Sequence, residues 1–125
     1  MYVNTYVLAV PENKKDEYLR KAKQFAELAK EFGALEIFEN WEQEVPDGEL
    51  TDYRKAVMAE PGEKIVLSWI VWPDRKTGAL AHKGMFADPR MAEIGEMPVD
   101  GNRMILGGFT PILTYHARDN AEGGS

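Results

Sequence analysis

Apolar and polar positions along the chain follow patterns that predict β-strands in five places. Residues 2–10 are rich in Val, Tyr and Thr and carry apolar side chains on both faces, which is typical of a central strand covered on both sides. Residues 64–72 form a nearly continuous apolar run and predict a second buried strand. Residues 34–44, 53–60 and 103–114 predict three further strands. The pattern therefore predicts that the chain forms one β-sheet.

Helical periodicity separates these strands in two places. Asn13 is expected to cap a helix whose apolar residues recur at helical spacing, and Gly33 is expected to end it in a left-handed conformation. Asp74 is expected to cap a second helix that continues to residue 87. Asp88-Pro89 then predicts the start of a short third helix, because a cap followed by proline favours the first helical turn.

The elements come closest to the order β-α-β-β-α-β, which is typical of the ferredoxin-like α+β fold. In that fold an antiparallel sheet carries both helices on one face. The other face is left bare, although two of the predicted strands are apolar on both sides. A second copy of the sheet is the simplest cover, so the pattern predicts a homodimer.

The domain is expected to span residues 1–115, with a flexible polar tail at 116–125. The sequence leaves open whether the Glu-Gly-Gly-Ser at its end is native.

Charge and composition narrow the possible partners. The formal net charge is −6 and the basic residues are scattered, so we expect neither nucleic acid nor an anionic membrane as a partner. No apolar stretch approaches the roughly 20 residues that span a bilayer. The N-terminal residues lack the features of a signal peptide, and there are no cysteines. We therefore expect a cytoplasmic protein without disulfides or thiol chemistry.

Several short motifs resemble the YbaA-like family of bacterial proteins. They are AVPENKK, EFGAL, Glu39-x-Trp41, VPDG, Thr51-Asp52, Ser68-Trp69-Ile70, DPRM, DGNRM at 100–104 and GGF at 107–109. The resemblance covers residues 2–109, and DPRM followed by DGNRMILGGF is its most specific part. It implies a member of the dimeric α+β barrel superfamily, in agreement with the order of elements. It implies no substrate, cofactor or catalytic residue, so the chemistry has to be argued from individual side chains.

Glu39 is the first candidate for chemistry. It shares a strand face with Ile37 and Trp41, and a carboxylate among apolar neighbours has a raised pKa that suits proton transfer. Arg54 or Arg103 could instead pair with Glu39 in a structural ion pair, and this is the interpretation that we favour.

His82 is the second candidate, on the second predicted helix. A histidine there could serve as a general base or a haem ligand. Haem-degrading enzymes of the same superfamily combine an Asn on the first strand, a Trp and a His on a late helix, and Asn4, Trp69 and His82 occur here in that order. An ordinary histidine at the edge of the core is the commoner alternative.

No cofactor and no metal site are predicted, because the acidic run 39–52 lacks the EF-hand pattern and the chain has only two histidines. A pocket for a small apolar or aromatic molecule is expected between sheet and helices, lined by Asn4, Trp41, Trp69, Met85 and Arg103. Two functional alternatives stay open: a non-catalytic dimeric module, and a cofactor-independent or haem-degrading type of monooxygenase.

Overall fold

Four strands and four helices follow one another in the computed structural model, which describes residues 1–117. The strands are β1 (Tyr2–Pro11), β2 (Glu36–Trp41), β3 (Glu63–Trp72) and β4 (Ile105–Phe109). The helices are α1 (Lys15–Glu31), α2 (Tyr53–Ala56), α3 (Arg75–Ala87) and α4 (Pro89–Ile94). Short 3-10 turns lie at Glu12–Lys14 and Gly101–Arg103. The predicted tail lies largely outside the described residues.

The strands form one antiparallel sheet in the order β2-β3-β1-β4, with β3 and β1 at its centre. Helices α1 and α3 pack against the same face of this sheet, where their buried residues join the side chains of β1 and β3. The predicted ferredoxin-like α+β fold is confirmed. None of the helices within residues 1–117 combines the length and the apolar composition that crossing a bilayer requires.

Trp72 lies at the centre of the core beneath the helices, where it is fully buried. Its indole Nε1 donates a hydrogen bond to the Asn4 side chain across the sheet, at 2.8 Å. Gly78 of α3 lies directly over the indole, and a Cβ at that position would stand 3.0 Å from the ring. The close approach of α3 to the sheet therefore depends on a glycine, although glycine costs about 1 kcal/mol of helix propensity relative to alanine.

The strand predicted at residues 53–60 is wrong, since these residues form α2 and the turn that follows it. Asp52 caps α2 by accepting a hydrogen bond from the Lys55 backbone N–H at 2.7 Å. Met58 then adopts a positive φ of 53°, which reverses the chain. This local capping outweighs the strand propensity of the segment, and it buries Val57. Within residues 1–117 the sheet therefore has four strands, and apart from the short helices α2 and α4 the elements follow the order β-α-β-β-α-β.

The predicted helix ends are mostly confirmed. Asp74 caps α3 and Asp88 caps α4 through their side chains, and Gly33 has a φ of 107° after α1. The cap predicted at Asn13 is wrong, because a 3-10 turn precedes α1 and Lys14 occupies the cap position without a side-chain hydrogen bond. The second and last strands are shorter than the predicted 34–44 and 103–114.

The sheet face opposite the helices is covered at one end only. There Val57 of the α2 segment packs against Ala9 and Ile65, with Val7, Val45 and Ala59 alongside. The remaining side chains on this face, which we call the open face, are mainly apolar: Val3, Thr5, Glu36, Phe38, Asn40, Leu67, Trp69, Val71, Ile105 and Phe109. Phe109 is 59% exposed and Phe38 is 45% exposed, so the protomer alone does not bury this apolar surface.

Candidate functional site

A cavity of about 390 Å³ lies between the sheet and helices α1, α3 and α4. Most of its wall is apolar. The apolar lining consists of Leu8, Ala22, Phe25, Ile70, Met85, Phe86, Met91, Ile94, Met97, Val99 and Met104. The polar side chains that reach it are Tyr6, Tyr18, Glu39, Ser68 and His82. A mainly apolar pocket with a few polar groups is the usual composition of a small-molecule site.

Three of the polar side chains form a row across the floor of the cavity. Glu39 of β2 is in register with Ser68 of β3, and Ser68 is in register with Tyr6 of β1. Residues directly opposite each other on neighbouring strands project from the same face of a sheet. We refer to Glu39, Ser68 and Tyr6 as the polar row. The helices add two further groups, Tyr18 from α1 and His82 from α3.

The Glu39 carboxylate is held by two hydroxyl groups. Tyr18 Oη donates to Oε1 at 2.6 Å, and Ser68 Oγ donates to Oε2 at 3.1 Å. The residue itself is exposed along the edge strand, whereas its carboxylate points into the apolar cavity between these two donors. Within residues 1–117, no Lys, Arg or His forms a salt bridge with it. Glu39 is therefore oriented by hydrogen bonds without being neutralised by a cation.

This environment shifts the acidity of Glu39 and of the neighbouring phenols. Burial raises the pKa of the Glu39 carboxyl, and the hydrogen bonds from Tyr18 and Ser68 only partly oppose that effect. Burial also raises the pKa of Tyr18, to which the charge of Glu39 and the hydrogen bond add. The pKa of Tyr6 is raised by burial and then by the charges of Glu39 and Tyr2. Both phenols are thus protonated hydrogen-bond donors at neutral pH.

The expected ion pair between Glu39 and Arg54 or Arg103 is wrong. Arg54 Nη2 pairs with Glu42, and Arg103 binds Glu63 through two N–H···O contacts of 2.8 Å each. The bidentate geometry fixes the Arg103 guanidinium on Glu63, away from the cavity. Both arginines therefore form ion pairs with carboxylates other than Glu39.

His82 presents one ring nitrogen to the cavity in a defined state. Its Nδ1 lies 2.8 Å from the Gly78 carbonyl oxygen, which can only accept, so Nδ1 carries the hydrogen. In the neutral ring Nε2 is then the acceptor, and it faces Tyr6 Oη at 3.4 Å. The Tyr6–His82 contact is long for a hydrogen bond from a hydroxyl group.

Three of the residues predicted from the sequence line this one cavity: Glu39, His82 and Met85. Two others have structural partners elsewhere. Asn4 accepts the hydrogen bond of Trp72, and Arg103 binds Glu63.

The two remaining predicted pocket residues are tryptophans that lie outside the cavity. Trp69 belongs to the open face, where it stacks on Phe38 with ring centroids 4.9 Å apart. Trp41 lies under the Lys15 ammonium group at the end of β2, 5.0 Å from Nζ to the ring centroid. Because Trp69 projects from the face opposite to His82, the set of Asn4, Trp69 and His82 does not converge on one site.

The sequence did not single out Tyr6, Tyr18 or Ser68. Ser68 nevertheless left a signal, because it is the one small hydroxyl residue within the apolar run of β3. A buried polar group requires a hydrogen-bonding partner, and on β2 that partner is Glu39. Tyr18 resembled an ordinary core aromatic at helical spacing, and its hydroxyl contact could not be inferred without the register of β2.

A second, wider depression of about 550 Å³ lies near residues 40–45, on the side of Tyr53 and Leu67. Its carboxylate Glu42 is already paired with Arg54 and accepts a hydrogen bond from the Ile65 backbone N–H. No group of three or more His, Asp and Glu side chains within residues 1–117 has the geometry of a metal site. The cavity with the polar row is therefore the better candidate site.

Comparison with known proteins places the chain in a family. The family described as "Protein of unknown function (DUF1428)" matches residues 1–101. The uncharacterized protein YbaA of Escherichia coli K12 is 52% identical over 113 residues, which cover 90% of this chain and 97% of YbaA. YbaA of Shigella flexneri matches equally well.

Solved structures that are similar to this chain share its fold at low sequence identity. An uncharacterized NIPSNAP domain protein from Burkholderia xenovorans has a TM-score of 0.57 and 13% identity, over 94% of this chain and 100% of its own. A dimeric ferredoxin-like protein of unknown function from Jannaschia sp. CCS1 has a TM-score of 0.53 and 12% identity, over 89% of this chain and 100% of its own. The chain has the ferredoxin-like fold, and it belongs to the DUF1428 family together with YbaA.

Proposed function

We propose that this protein binds a small, largely apolar molecule in the cavity above the polar row, and that it does so as a homodimer. One observation carries the first part: an apolar cavity is lined by a carboxylate that two hydroxyls hold and that no cation within residues 1–117 neutralises. The volume of about 390 Å³ lies within the roughly 300–1,000 Å³ of small-molecule sites. A structural carboxylate in such a place would be expected to have a cationic partner.

The lining of the cavity indicates what kind of ligand fits. Four methionines contribute to the wall, and their flexible thioether side chains adapt to ligands of different shape. The polar row offers an acceptor at Glu39 and a donor at Tyr6 on one side of the cavity only. A neutral molecule with a hydrogen-bonding group at one end matches this distribution, whereas an anionic ligand would be repelled by Glu39.

Thermal shift with a library of small neutral aromatic and alicyclic compounds tests the binding function. A ligand present at 100 times its Kd should add about 2.7 kcal/mol of apparent stability. Ala22→Phe, which places a ring in the cavity from α1, should abolish the shift. Ala79→Phe, on the exposed side of α3, is the matched control and should keep it. Equal shifts for Ala22→Phe and the wild type would contradict binding in this cavity.

The homodimer is supported by apolar surface that the protomer leaves uncovered. Besides the open face, three residues that follow β4 are almost fully exposed: Ile112 at 99%, Leu113 at 87% and Tyr115 at 85%. Contiguous apolar surface of this kind marks protein interfaces. The similar protein from Jannaschia is a dimeric ferredoxin-like protein. A second copy packed on the open face should bury more than about 1,000 Å².

Sedimentation at micromolar concentration tests the dimer. We expect a species of about twice the protomer mass of 14.1 kDa. A single species at the protomer mass would contradict the proposed assembly.

A further inference from the structure

Two polar groups stand at opposite ends of the polar row, and their hydrogen-bonding capacities are complementary. Glu39 accepts at one end, and Tyr6 donates at the other, with Ser68 between them. Neighbouring strands lie about 4.8 Å apart, so the Glu39 and Tyr6 backbones are roughly 10 Å apart. The polar group of a ligand that lies over Ser68 would therefore lie between the Glu39 carboxylate and the Tyr6 phenol.

Glu39 has the properties of a general base. The hydroxyls of Tyr18 and Ser68 fix its orientation, and each carboxylate oxygen keeps a lone pair that these hydrogen bonds do not use. An apolar environment favours the neutral form of a carboxyl, so accepting a proton removes an unfavourable charge from the site. Protonation of Glu39 is therefore assisted by the surroundings that make its ionised form costly.

Tyr6 has the properties of a donor to a developing negative oxygen. Its contact with His82 Nε2 is 3.4 Å, longer than the roughly 2.5–3.0 Å usual for a hydroxyl donor. Tyr6 can therefore turn its hydroxyl hydrogen toward a ligand oxygen and lose only a weak hydrogen bond to His82. The Nδ1–H of His82 is held on the Gly78 carbonyl, which keeps the imidazole ring in place behind the phenol.

We propose that this cavity catalyses proton transfer at the carbon next to the carbonyl group of a small apolar ketone. The proposal rests on the binding function proposed above. A Glu39 carboxylate oxygen takes the proton from the α carbon, the C–H electron pair forms the carbon–carbon double bond of the enolate, and the carbonyl π pair moves to oxygen. Tyr6 donates a hydrogen bond to that oxygen. Glu39 then returns the proton to carbon.

The return of the proton defines the net reaction. If the proton on Glu39 exchanges with water before it is returned, delivery to the same carbon replaces the α hydrogen with one from solvent. In a β,γ-unsaturated ketone, delivery to the γ carbon moves the double bond into conjugation with the carbonyl group. Both outcomes conserve atoms and electrons, because the proton that Glu39 takes is the equivalent of the one that it gives back. The substrate class is therefore a small apolar ketone with an acidic C–H.

Exchange of 2-tetralone with D₂O tests the proposal, because this bicyclic ketone is apolar and has an acidic C–H. Loss of its α-proton signal is followed by NMR, and binding is measured separately by saturation transfer from the protein. The wild type should accelerate exchange above the buffer rate. Glu39→Gln, which can still hydrogen-bond to Tyr18 and Ser68, should lower the accelerated rate by at least about 100-fold while binding persists.

Two more variants sharpen the assignment. Tyr6→Phe should lower the exchange rate by roughly 100-fold, because it removes the donor to the enolate oxygen. Glu39→Asp, which keeps the carboxylate, should retain more activity than Glu39→Gln. Glu27→Gln removes a carboxylate from the solvent side of α1 and should leave the rate unchanged.

The outcomes separate this proposal from the binding function. Binding of 2-tetralone by the wild type without accelerated exchange would overturn proton transfer and leave binding intact. Undiminished exchange in Glu39→Gln would overturn the assignment of Glu39. Absence of both binding and exchange would overturn the proposal for ketones, and the compound library would then decide on the binding function independently.

Discussion

The two faces of the sheet carry different kinds of side chain. Under the helices, Glu39 is placed among apolar residues and hydrogen-bonds to Tyr18 and Ser68. The open face instead presents aromatic and aliphatic residues such as Trp69 and Phe38. The helices close a cavity in which the polar side chains are hydrogen-bonded and which is large enough to bind a small ligand. No element within residues 1–117 closes the open face, so its apolar residues are suited to association.

The tryptophans show the difference most clearly. Trp72 is fully buried beneath α3, and its one polar atom is satisfied by Asn4. Trp69, three residues earlier on the same strand, projects from the other face and donates a 3.3 Å hydrogen bond to Glu36 near the sheet edge. Trp72 therefore stabilises the protomer, and we propose that Trp69 stabilises the dimer.

Replacing Trp72 should have the largest effect. Trp72→Ala leaves a large cavity in the core and removes the hydrogen bond that the Asn4 side chain accepts. Together these losses should lower the free energy of unfolding by about 3–5 kcal/mol. Chemical denaturation should show this loss at every protein concentration. Trp69→Ala is the matched comparison, and its effect should depend on protein concentration because it acts through the dimer. An equal, concentration-independent loss for both variants would remove the distinction between the faces.

A charge on the open face should break the dimer. Trp69→Glu buries a carboxylate in the apolar centre of the interface, and the loss of about 2 kcal/mol or more of association energy should weaken the dimer at least roughly 30-fold. Sedimentation equilibrium measures this directly. Leu80→Glu, on the exposed surface of α3, adds the same charge away from the open face and should leave the dimer intact. Dissociation by Leu80→Glu alone would place the interface on the helices.

The smallest expected change in stability concerns Glu39. Its pKa is raised in the folded state by burial, so the folded protein holds this proton more tightly than the unfolded chain does. The wild type should therefore lose stability as pH rises from the unfolded-state pKa toward the folded one. Glu39→Gln lacks this penalty, and it should equal or exceed the wild type in stability at neutral pH.

Urea denaturation between about pH 4 and 8 measures this difference for Glu39→Gln and the wild type. The difference should be smallest at the acidic end, where the carboxyl is mostly protonated in both states, and should grow with pH. Glu27→Gln is the control for removal of a negative charge. A Gln variant that is markedly less stable at neutral pH would restore the structural interpretation that the sequence favoured, with a partner other than Arg54 or Arg103.

Local signals predicted much of the fold. The buried runs of β1 and β3 and the caps at Asp74 and Asp88 depend on neighbouring residues only, and the structure confirms them. The α2 segment was misassigned because its strand-like composition competes with a cap at Asp52. The N-cap of a four-residue helix is a weak signal beside such composition.

The site was harder to predict, because it depends on register and on contacts between distant residues. Strand periodicity alone shows that Trp69 and Trp72 lie on opposite faces, since they are three positions apart and alternate positions face opposite sides. The hydrogen bond from Ser68 to Glu39 requires the pairing of β2 with β3, which periodicity does not supply. The commitment of Arg103 to Glu63, forty residues away, is likewise invisible in the sequence.

Direct titration of the Glu39 carboxyl tests most directly whether this group lines an apolar cavity without a cationic partner, as the structure of residues 1–117 indicates. The side-chain carboxyl carbons of glutamate-labelled protein can be followed by ¹³C NMR as a function of pH, and Glu39→Gln identifies the signal. We predict a pKa above the ordinary glutamate value, because burial outweighs the hydrogen bonds from Tyr18 and Ser68. A pKa at or below the ordinary value would show that the Glu39 charge is compensated, and the site would then lack the costly carboxylate on which the proposed function depends.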